Sequence, residues 1–175
     1  MMLGVKRGTV VLLPYDRAWT LEFEKEKELL LQTFGNRIKA IEHIGSTSIP
    51  GIPAKPIIDM NVAVDSIDDI DDFIIDLQNI GYEHMPERRY ADRHFFPKGP
   101  SENRTHHLNL VEIDSETGWT NPLLFRNYLR KNPEATEEYR ELKERLASKY
   151  ADNREEYTRH KNDFIQSILK KAKTD

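Results

Sequence analysis

Hydrophobic and polar positions along the chain follow helical and strand periods in turn. Residues 17–34 place apolar side chains on one face and charged ones on the other, which predicts a helix capped by Asp16 and ended by Gly35. Residues 37–44 alternate in character, as a strand does, and a more apolar alternating run follows at 57–64. The first half therefore predicts a helix followed by two strands.

The middle of the chain predicts one more helix and a hairpin. Helical spacing of isoleucine and leucine begins after Ser66 and ends at Gly81. Residues 93–97 and 106–113 have strand character and are separated by a polar turn with glycine and proline, which is typical of a hairpin. Near the N-terminus, the β-branched run 9–13 stops at a proline and predicts an edge strand or an arm laid on the body.

The last third is helical in pattern. Two Asn-Pro pairs, at 121–122 and 132–133, each predict a capping asparagine before a proline in the first helical position. We expect helices at about 122–131, 133–150 and 153–172. The predicted fold class is α+β: a mixed sheet flanked by helices, in a single domain over 1–175 with a helical C-terminal extension at about 120–173.

Composition narrows the classes of function. Charged residues make up 32% and apolar residues 38% of the chain, and the net charge of −4 argues against a general nucleic-acid binder. There is no cysteine, so disulfides, thiolate metal sites and cysteine nucleophiles are excluded. The first residues lack a long apolar span and a small-residue cleavage site, so we expect a cytoplasmic protein with no membrane segment. The oligomeric state is left open.

Polar side chains interrupt two of the apolar strands at matching positions. Alternate residues of a strand share a face, so Asp59 and Asn61 lie together, opposite a uniformly apolar row. In the later strand, His107 and Asn109 share a face in the same way. If the two strands are neighbours, these four side chains converge, and Asp59 with the amides could hold Mg²⁺ while His107 acts as ligand or base.

A glycine-serine turn follows directly on the first strand. Without a Cβ, Gly45 lets a phosphate approach the backbone, and the hydroxyls of Ser46 and Thr47 can donate hydrogen bonds to it. Lys55, in the loop before the Asp59 strand, can add positive charge. This turn is therefore the predicted phosphate-binding half of the site.

Several unusual stretches together resemble the GrpB family, also called UPF0157, which is placed in the nucleotidyltransferase superfamily. The resemblance extends over nearly the whole chain. It rests on PYDRAW at 14–19, IEHIGSTSIPG and AKPIID between 41 and 59, HHLNLVE at 106–112, FRNYLRKNPE at 125–134, Tyr157 and Lys161. The resemblance implies a nucleotidyltransferase-like fold with a mixed sheet packed by helices.

The superfamily pattern is Gly-Ser, a loop, and then Asp-x-Asp or Asp-x-Glu on the next strand. Gly45, Ser46 and Asp59 fit that pattern, but Asn61 stands where a second acid is usual. His107 or Asn109 stands where a third acid is usual. Two-metal transfer depends on concentrated negative charge, and one carboxylate supplies little of it.

Two functions follow from the resemblance. The first is Mg²⁺-dependent transfer of a nucleotidyl group from an NTP, with the triphosphate on Gly45, Ser46 and Lys55, Mg²⁺ on Asp59 and Asn61, and the acceptor at His107. The second is an accessory module that binds a nucleotide, a CoA-like molecule or a protein partner without turnover. GrpB-like domains joined to dephospho-CoA kinase and described as folding accessory domains give this second function a natural form.

Simpler explanations exist for each residue. Asp59 could only cap a turn or pair with Lys55 or Arg104, and His107 could be a core histidine whose polar atoms are satisfied. The basic residues of the last third could reach into the cleft toward phosphates or form a solvated helix face; these are Arg126, Arg130 and Lys161.

Overall fold

A four-stranded mixed sheet forms the centre of the computed structural model, which describes residues 2–68, 70–87 and 90–174. The sheet order is β1-β2-β4-β3, with β2 and β4 parallel and both outer strands antiparallel to their neighbours. The strands are β1 (Ala40–Ile44), β2 (Ile58–Val64), β3 (Arg93–Lys98) and β4 (His106–Glu112). The predicted α+β architecture, with its mixed sheet and its hairpin of β3 and β4, is confirmed.

Helices cover both faces of the sheet. They are α1 (Ala18–Phe34), α2 (Asp71–Asn79), α3 (Asn121–Lys131), α4 (Pro133–Lys149), α5 (Arg154–Arg159) and α6 (Asn162–Ala172). Within the described ranges, none of them is both long enough and apolar enough to cross a membrane.

The apolar row of β2 packs under α1. Ile58, Met60, Val62 and Val64 are all buried in one cluster with aromatic and leucine side chains of that helix. At about 25 cal/mol per Å² of apolar surface, such burial supplies the main stabilisation of the fold. The predicted alternation of β2 is therefore confirmed on its apolar side.

The opposite face of the sheet is covered by the C-terminal helices and by a single π-helical turn, Glu116–Thr120. A second apolar cluster joins the loop before β2 to helices α3, α4 and α6; its members include Ile49, Ile52, Leu129, Tyr139 and Ile168. The C-terminal helices are thus anchored beside the loop that leads into β2, and the candidate site lies between them and the strands.

The N-terminal run at 9–13 is an arm, not a strand of the sheet. Leu13 exchanges two backbone hydrogen bonds of 2.9 Å with Ala54, and the Val10 N–H donates to the Ala151 carbonyl over 2.9 Å. Of the two predicted alternatives, the arm laid on the body is the one observed.

Helix α2 begins at Asp71, so the prediction of a start at Ser66 is wrong. The Ser66 hydroxyl accepts from the Asp68 N–H over 3.1 Å, and the Ile67 N–H donates to the Glu112 carboxylate over 3.3 Å. These local bonds compete with helix formation and hold the segment as a turn. Asp69, which belongs to the same prediction, lies outside the described residues.

The predicted cap at Asn121 is wrong, whereas Asn132 is confirmed as the N-cap residue of α4 but makes no side-chain capping bond. Asn121 lies inside α3, because the turn Glu116–Thr120 runs directly into that helix. Asn132 does precede Pro133 at the start of α4, but its Nδ2 donates to the Tyr128 carbonyl over 2.8 Å and closes α3 instead.

The predicted helix at 153–172 is broken at 160–161 into α5 and α6. Tyr157 packs with Val10 and Leu146, whereas Ile168 packs into the cluster of α3 and α4. A bend lets both side chains be buried in different clusters, and it places Lys161 between the two helices.

Candidate functional site

The central pocket is a cavity of about 550 Å³ between the β1, β2 and β4 strands and helices α3 to α6. Six of the eight residues predicted for the site line it: Gly45, Ser46, Thr47, Lys55, Asp59 and His107. Asp59 and His107 are register partners on the parallel strands β2 and β4, and Ile44 at the end of β1 is the partner of Asp59 on its other side. The sheet register therefore brings the turn after β1 and the acid of β2 together.

Asp59 and His107 form a hydrogen-bonded pair, with 2.9 Å between Oδ1 and Nδ1. A carboxylate only accepts, so Nδ1 of His107 is the donor and Nε2 is its basic nitrogen. Burial favours a higher pKa for Asp59, but the hydrogen bond from His107 and the charges of Lys55 and Arg154 outweigh it and lower that pKa. Burial lowers the pKa of His107 despite the opposing pull of Asp59. The pair is therefore an ionised carboxylate and a neutral imidazole at neutral pH.

Gly45 is required by the position of the Asp59 carboxylate. Its backbone has φ +68° and ψ −171°, a region that only glycine adopts readily. A Cβ on Gly45 would lie 2.6 Å from Oδ2 of Asp59. The Asp59 carboxylate fills the space that a side chain at Gly45 would occupy. The packing therefore does not support the explanation from sequence, in which the glycine gives a phosphate access to the backbone.

The hydroxyl of Thr47 is already engaged in the core. It donates to the Ile57 carbonyl over 3.2 Å, so Nε2 of His43, 3.0 Å away, is the donor to its oxygen. Burial lowers the pKa of His43 to about 4, which keeps the ring neutral. Ser46 is hydrogen-bonded to the Tyr139 side chain in the pocket wall, and burial raises the pKa of that tyrosine to about 12. Both hydroxyls therefore help to fix the turn.

Basic side chains dominate the charged lining of the central pocket. Five are present against the single carboxylate of Asp59: Lys55, Arg93, Lys143, Arg154 and Lys161. Lys143 is 1% exposed and donates to the Pro53 carbonyl. Burial, together with the charges of Lys161 and Lys55, holds its pKa well below the ordinary value. The lining therefore holds an excess of basic groups over acidic ones.

Asn61 and Asn109 do not line the pocket, and Asn109 is only half-buried. Asn61 is fully buried; its Nδ2 donates to the Gly118 carbonyl over 2.6 Å, and its Oδ1 accepts from Asn109 Nδ2 over 3.0 Å. The two amides thus tie β2, β4 and the turn Glu116–Thr120 together. The structure assigns them this contact and leaves their predicted catalytic role without geometric support.

The arginines of α3 hold the sheet to the helices. Arg126 donates to the Glu42 carboxylate over 2.6 Å and to the His43 carbonyl over 2.7 Å. Arg130 donates to the Ser48 carbonyl through both Nε and Nη2, at 3.0 and 2.6 Å. Arg104, considered from sequence as a partner of Asp59, pairs with Glu83 instead.

Sequence reasoning missed three basic residues of the lining: Arg93, Lys143 and Arg154. For Lys143 a signal was available, because it lies four residues after Tyr139 and three before Leu146, on the buried stripe of α4. A lysine on an apolar stripe needs a partner or a ligand. Arg93 and Arg154 sit at the ends of their elements, where the chain pattern gives no comparable signal.

The donor set of the central pocket does not fit a two-ion Mg²⁺ centre. Asp59 is the single acidic side chain among the lining residues, and one of its oxygens is taken by His107. Across 2–68, 70–87 and 90–174, no group of three or more His, Cys, Asp or Glu side chains is placed to hold a metal ion. Five basic side chains nearby also repel a divalent cation, so Mg²⁺ would enter only with the phosphates of a ligand.

The fold and pocket define an α+β protein with a cationic cavity at the strand ends. The chain belongs to the GrpB family: the family model for GrpB protein matches residues 9–171. It is 40% identical over 172 residues to glutamate-rich protein GrpB of Alkalihalophilus pseudofirmus, covering 96% of this chain and 98% of the other. A crystal structure of conserved protein GrpB from Enterococcus faecalis superimposes with a TM-score of 0.85 at 39% identity, covering 93% of this chain and 96% of that one.

A more distant similarity is to dephospho-CoA kinase of Mycolicibacterium paratuberculosis. It has 29% identity over 171 residues, which cover 85% of this chain and 42% of that enzyme. The similar region is thus less than half of the kinase. The predicted connection between GrpB-like sequences and dephospho-CoA kinase is confirmed at the level of sequence.

Proposed function

We propose that the protein binds a nucleotide or a CoA-like molecule through its phosphate groups in the central pocket. The observation that supports this is the composition of the lining, in which five basic side chains, one of them Lys143 with its depressed pKa, lie against one carboxylate. Lysine and arginine recognise phosphates through charge-assisted hydrogen bonds. The volume of about 550 Å³ also falls within the range of roughly 300–1,000 Å³ that small-molecule sites occupy.

Nucleoside triphosphates and CoA both carry a nucleotide with linked phosphate groups, so the same cationic pocket suits both. The sequence similarity to part of a dephospho-CoA kinase supports testing the CoA side of this class. In this function the hydrogen bond between Asp59 and His107 holds the edge of the pocket in place and takes no part in a reaction. This proposal corresponds to the accessory module derived from the sequence.

Thermal unfolding measured with ATP, CoA, dephospho-CoA and adenosine tests the proposal. A ligand at 100 times its Kd stabilises the folded protein by about 2.7 kcal/mol. We expect at least one phosphate-bearing ligand to raise the unfolding temperature and adenosine not to do so. Because the basic side chains neutralise the phosphates, the shift should persist in EDTA. No shift with any phosphate-bearing ligand would contradict the proposal.

Lys55→Ala is expected to weaken binding of the active ligand by about tenfold to a hundredfold, since a hydrogen bond to a charged group contributes about 1.5–3 kcal/mol. Isothermal titration calorimetry gives the affinity directly. Lys25→Ala on the exposed side of α1 removes the same charge away from the pocket and serves as the control. Equal losses in the two variants would show that binding depends on net charge and not on this site.

The hydrogen-bonded pair of Asp59 and His107 favours a second candidate function, nucleotidyl transfer. In this reaction the hydroxyl oxygen of an acceptor bonds to the α-phosphorus of an NTP. The bond from that phosphorus to the bridging oxygen breaks, and pyrophosphate leaves. Neutral His107 takes the hydroxyl proton on Nε2, held in the right tautomer by Asp59.

Release of pyrophosphate from each NTP, in the presence of a small-molecule extract and of RNA as acceptors, tests the second candidate. We expect His107→Gln to lower turnover by a factor of about 100 or more if the histidine is the base. The matched control is His160→Gln, because the exposed imidazole of His160 lies in the break after α5, hydrogen-bonded to Tyr150 and away from the pocket lining. Turnover that survives in His107→Gln would exclude the proposed base, and binding without turnover would leave the accessory module as the function.

A further inference from the structure

Lys161 occupies the break between α5 and α6, with its side chain in the lining of the central pocket. Its Nζ lies 4.4 Å from the centre of the Tyr157 ring, which forms part of the same wall. The break ends one helix and starts the next at this residue, so its position is set by the backbone on both sides. Lys161 is therefore a fixed feature of the pocket and not a solvated surface lysine.

Charged and titratable groups face Lys161 from each neighbouring element. Among the described residues, Asp59 on β2 is the single acidic side chain of the pocket lining, and the basic ones outnumber it. The charged and titratable groups of the lining around it are Asp59, Arg93 and His107 from the strands, Lys55 from the loop, Tyr139 and Lys143 from α4, and Arg154 with Tyr157 from α5. Within this cluster one more positive charge is costly as long as no anion is bound.

We propose that Lys161 sets the selectivity of the pocket for highly charged phosphate ligands, because it takes up a proton when the phosphates bind. This inference rests on the proposed phosphate-binding function. It goes further by naming the residue that makes affinity depend on the charge of the ligand. A monophosphate carries too little negative charge to offset the free-energy cost of protonating Lys161, whereas a triphosphate carries enough. The site then prefers ATP-like ligands to AMP-like ones through this amine.

The direction of the pH dependence follows from the free protein. Burial lowers the pKa of Lys161 to about 8, although Asp59 acts to raise it and Arg154 lowers it further. A bound anion within about 4–6 Å raises the pKa of a cationic group by roughly one to three units. Affinity is therefore greatest below pH 8 and falls as the pH rises from about 8 through the pKa of the bound state.

Calorimetric titration with ATP in EDTA at about pH 8.5 measures the proton uptake, using two phosphate-free buffers with different enthalpies of ionisation. The second ionisation of a phosphate monoester lies near pH 6, so a terminal phosphate of this kind contributes few protons at pH 8.5. With a free pKa of about 8 and a higher pKa in the bound state, we expect Lys161 to take up roughly half to three-quarters of a proton at this pH. In Lys161→Arg the uptake should fall by that amount, because a guanidinium stays protonated, and any uptake that remains comes from Lys143, whose pKa is also depressed.

Selectivity supplies the second measurement. The ratio of ATP to AMP affinity in Lys161→Met should fall by about tenfold, as expected for one charge-assisted contact. Lys25→Arg and Lys25→Met, on the exposed side of α1, should match the unchanged protein in uptake and in ratio. Equal proton uptake in the unchanged protein and in Lys161→Arg would overturn the inference.

A ligand-free measurement separates this inference from the proposed function. The rate at which acetic anhydride acetylates Lys161 should reach half its maximum near pH 8 in the unliganded protein, read by peptide mass spectrometry with Lys25 as internal reference. If no phosphate ligand binds at any pH while this titration is observed, the proposed function fails and the electrostatic basis of the inference stands. If ATP binds but the amine titrates with Lys25, the inference alone fails.

Discussion

Replacing Asn61 with aspartate is expected to destabilise the fold by about 3–5 kcal/mol at neutral pH, because it leaves an unpaired charge in the interior. Asn61 is fully buried, and its Nδ2 donates to the Gly118 carbonyl over 2.6 Å. In Asn61→Asp a carboxylate oxygen takes the place of that donor and faces another oxygen. Chemical denaturation at pH 7 measures the loss.

The pH dependence of Asn61→Asp follows from the same contact. Burial and the neighbouring carbonyl raise the folded-state pKa of the new carboxyl above the unfolded value of about 3.9. Below the unfolded value the protonated carboxyl can donate to the Gly118 carbonyl, so the variant is least impaired there. The loss grows as the pH rises through the folded-state pKa. A destabilisation that is independent of pH would contradict this explanation.

Asn127→Asp is the matched control. Asn127 is exposed, and its Oδ1 accepts from Arg126 Nε over 3.0 Å, a contact that a carboxylate keeps. The same chemical change there should alter stability by no more than about 0.5 kcal/mol. If Asn61→Asp were instead neutral and raised the affinity for Mg²⁺, the amide would be a degenerate metal ligand. Because it faces Gly118 and not the pocket, we expect no gain in metal affinity.

The alternation of residues along β2 placed Asn61 on the correct face of the sheet, but it could not show that Asn61 is fully buried. Two residues along a strand correspond to about 6.6 Å, enough to pass from the pocket edge at Asp59 into the interior. What covers Asn61 is the turn Glu116–Thr120, a segment without periodic signal in the sequence. The sequence therefore predicted which side chains share a face of the sheet. It could not predict that the turn Glu116–Thr120 covers part of that face.

The strand end and the acid were predictable because both follow from local rules. A glycine after an apolar strand and an acid inside the next strand indicate a special contact, and the pairing of neighbouring strands brings them together. The basic wall required knowing how α4, α5 and α6 dock, which depends on long-range packing against Ile49 and Ile52. The mixed charges on those helices resembled a solvated face in the sequence, whereas the observed docking turns Lys143 and Arg154 into the pocket and the break between α5 and α6 adds Lys161.

Gly45→Ala is expected to cost about 2–4 kcal/mol of stability, because it combines backbone strain with a steric conflict. The backbone of Gly45 lies in a region that alanine adopts poorly, and the added Cβ would be 2.6 Å from Oδ2 of Asp59. The acid cannot move away without losing its 2.9 Å hydrogen bond to His107. Denaturant unfolding measures the loss, and the His107 ring resonances report whether the pair is broken.

Gly51→Ala separates the two causes. Gly51 also has a positive φ, +85°, but an added Cβ would meet nothing within 4 Å. We therefore expect it to cost about 1 kcal/mol from the backbone alone. Comparable losses in the two variants would mean that the contact with Asp59 contributes nothing.

A double-mutant cycle isolates the contact between Gly45 and the acid. In Asp59→Ala the oxygen that obstructs the added Cβ is absent, so Gly45→Ala should then cost about 1–2 kcal/mol less than in the unchanged protein. The remaining cost is the strain of a positive φ, which does not depend on the neighbour. Strict additivity would show that the glycine is not kept for the acid, and the phosphate-access explanation for the glycine would regain its place.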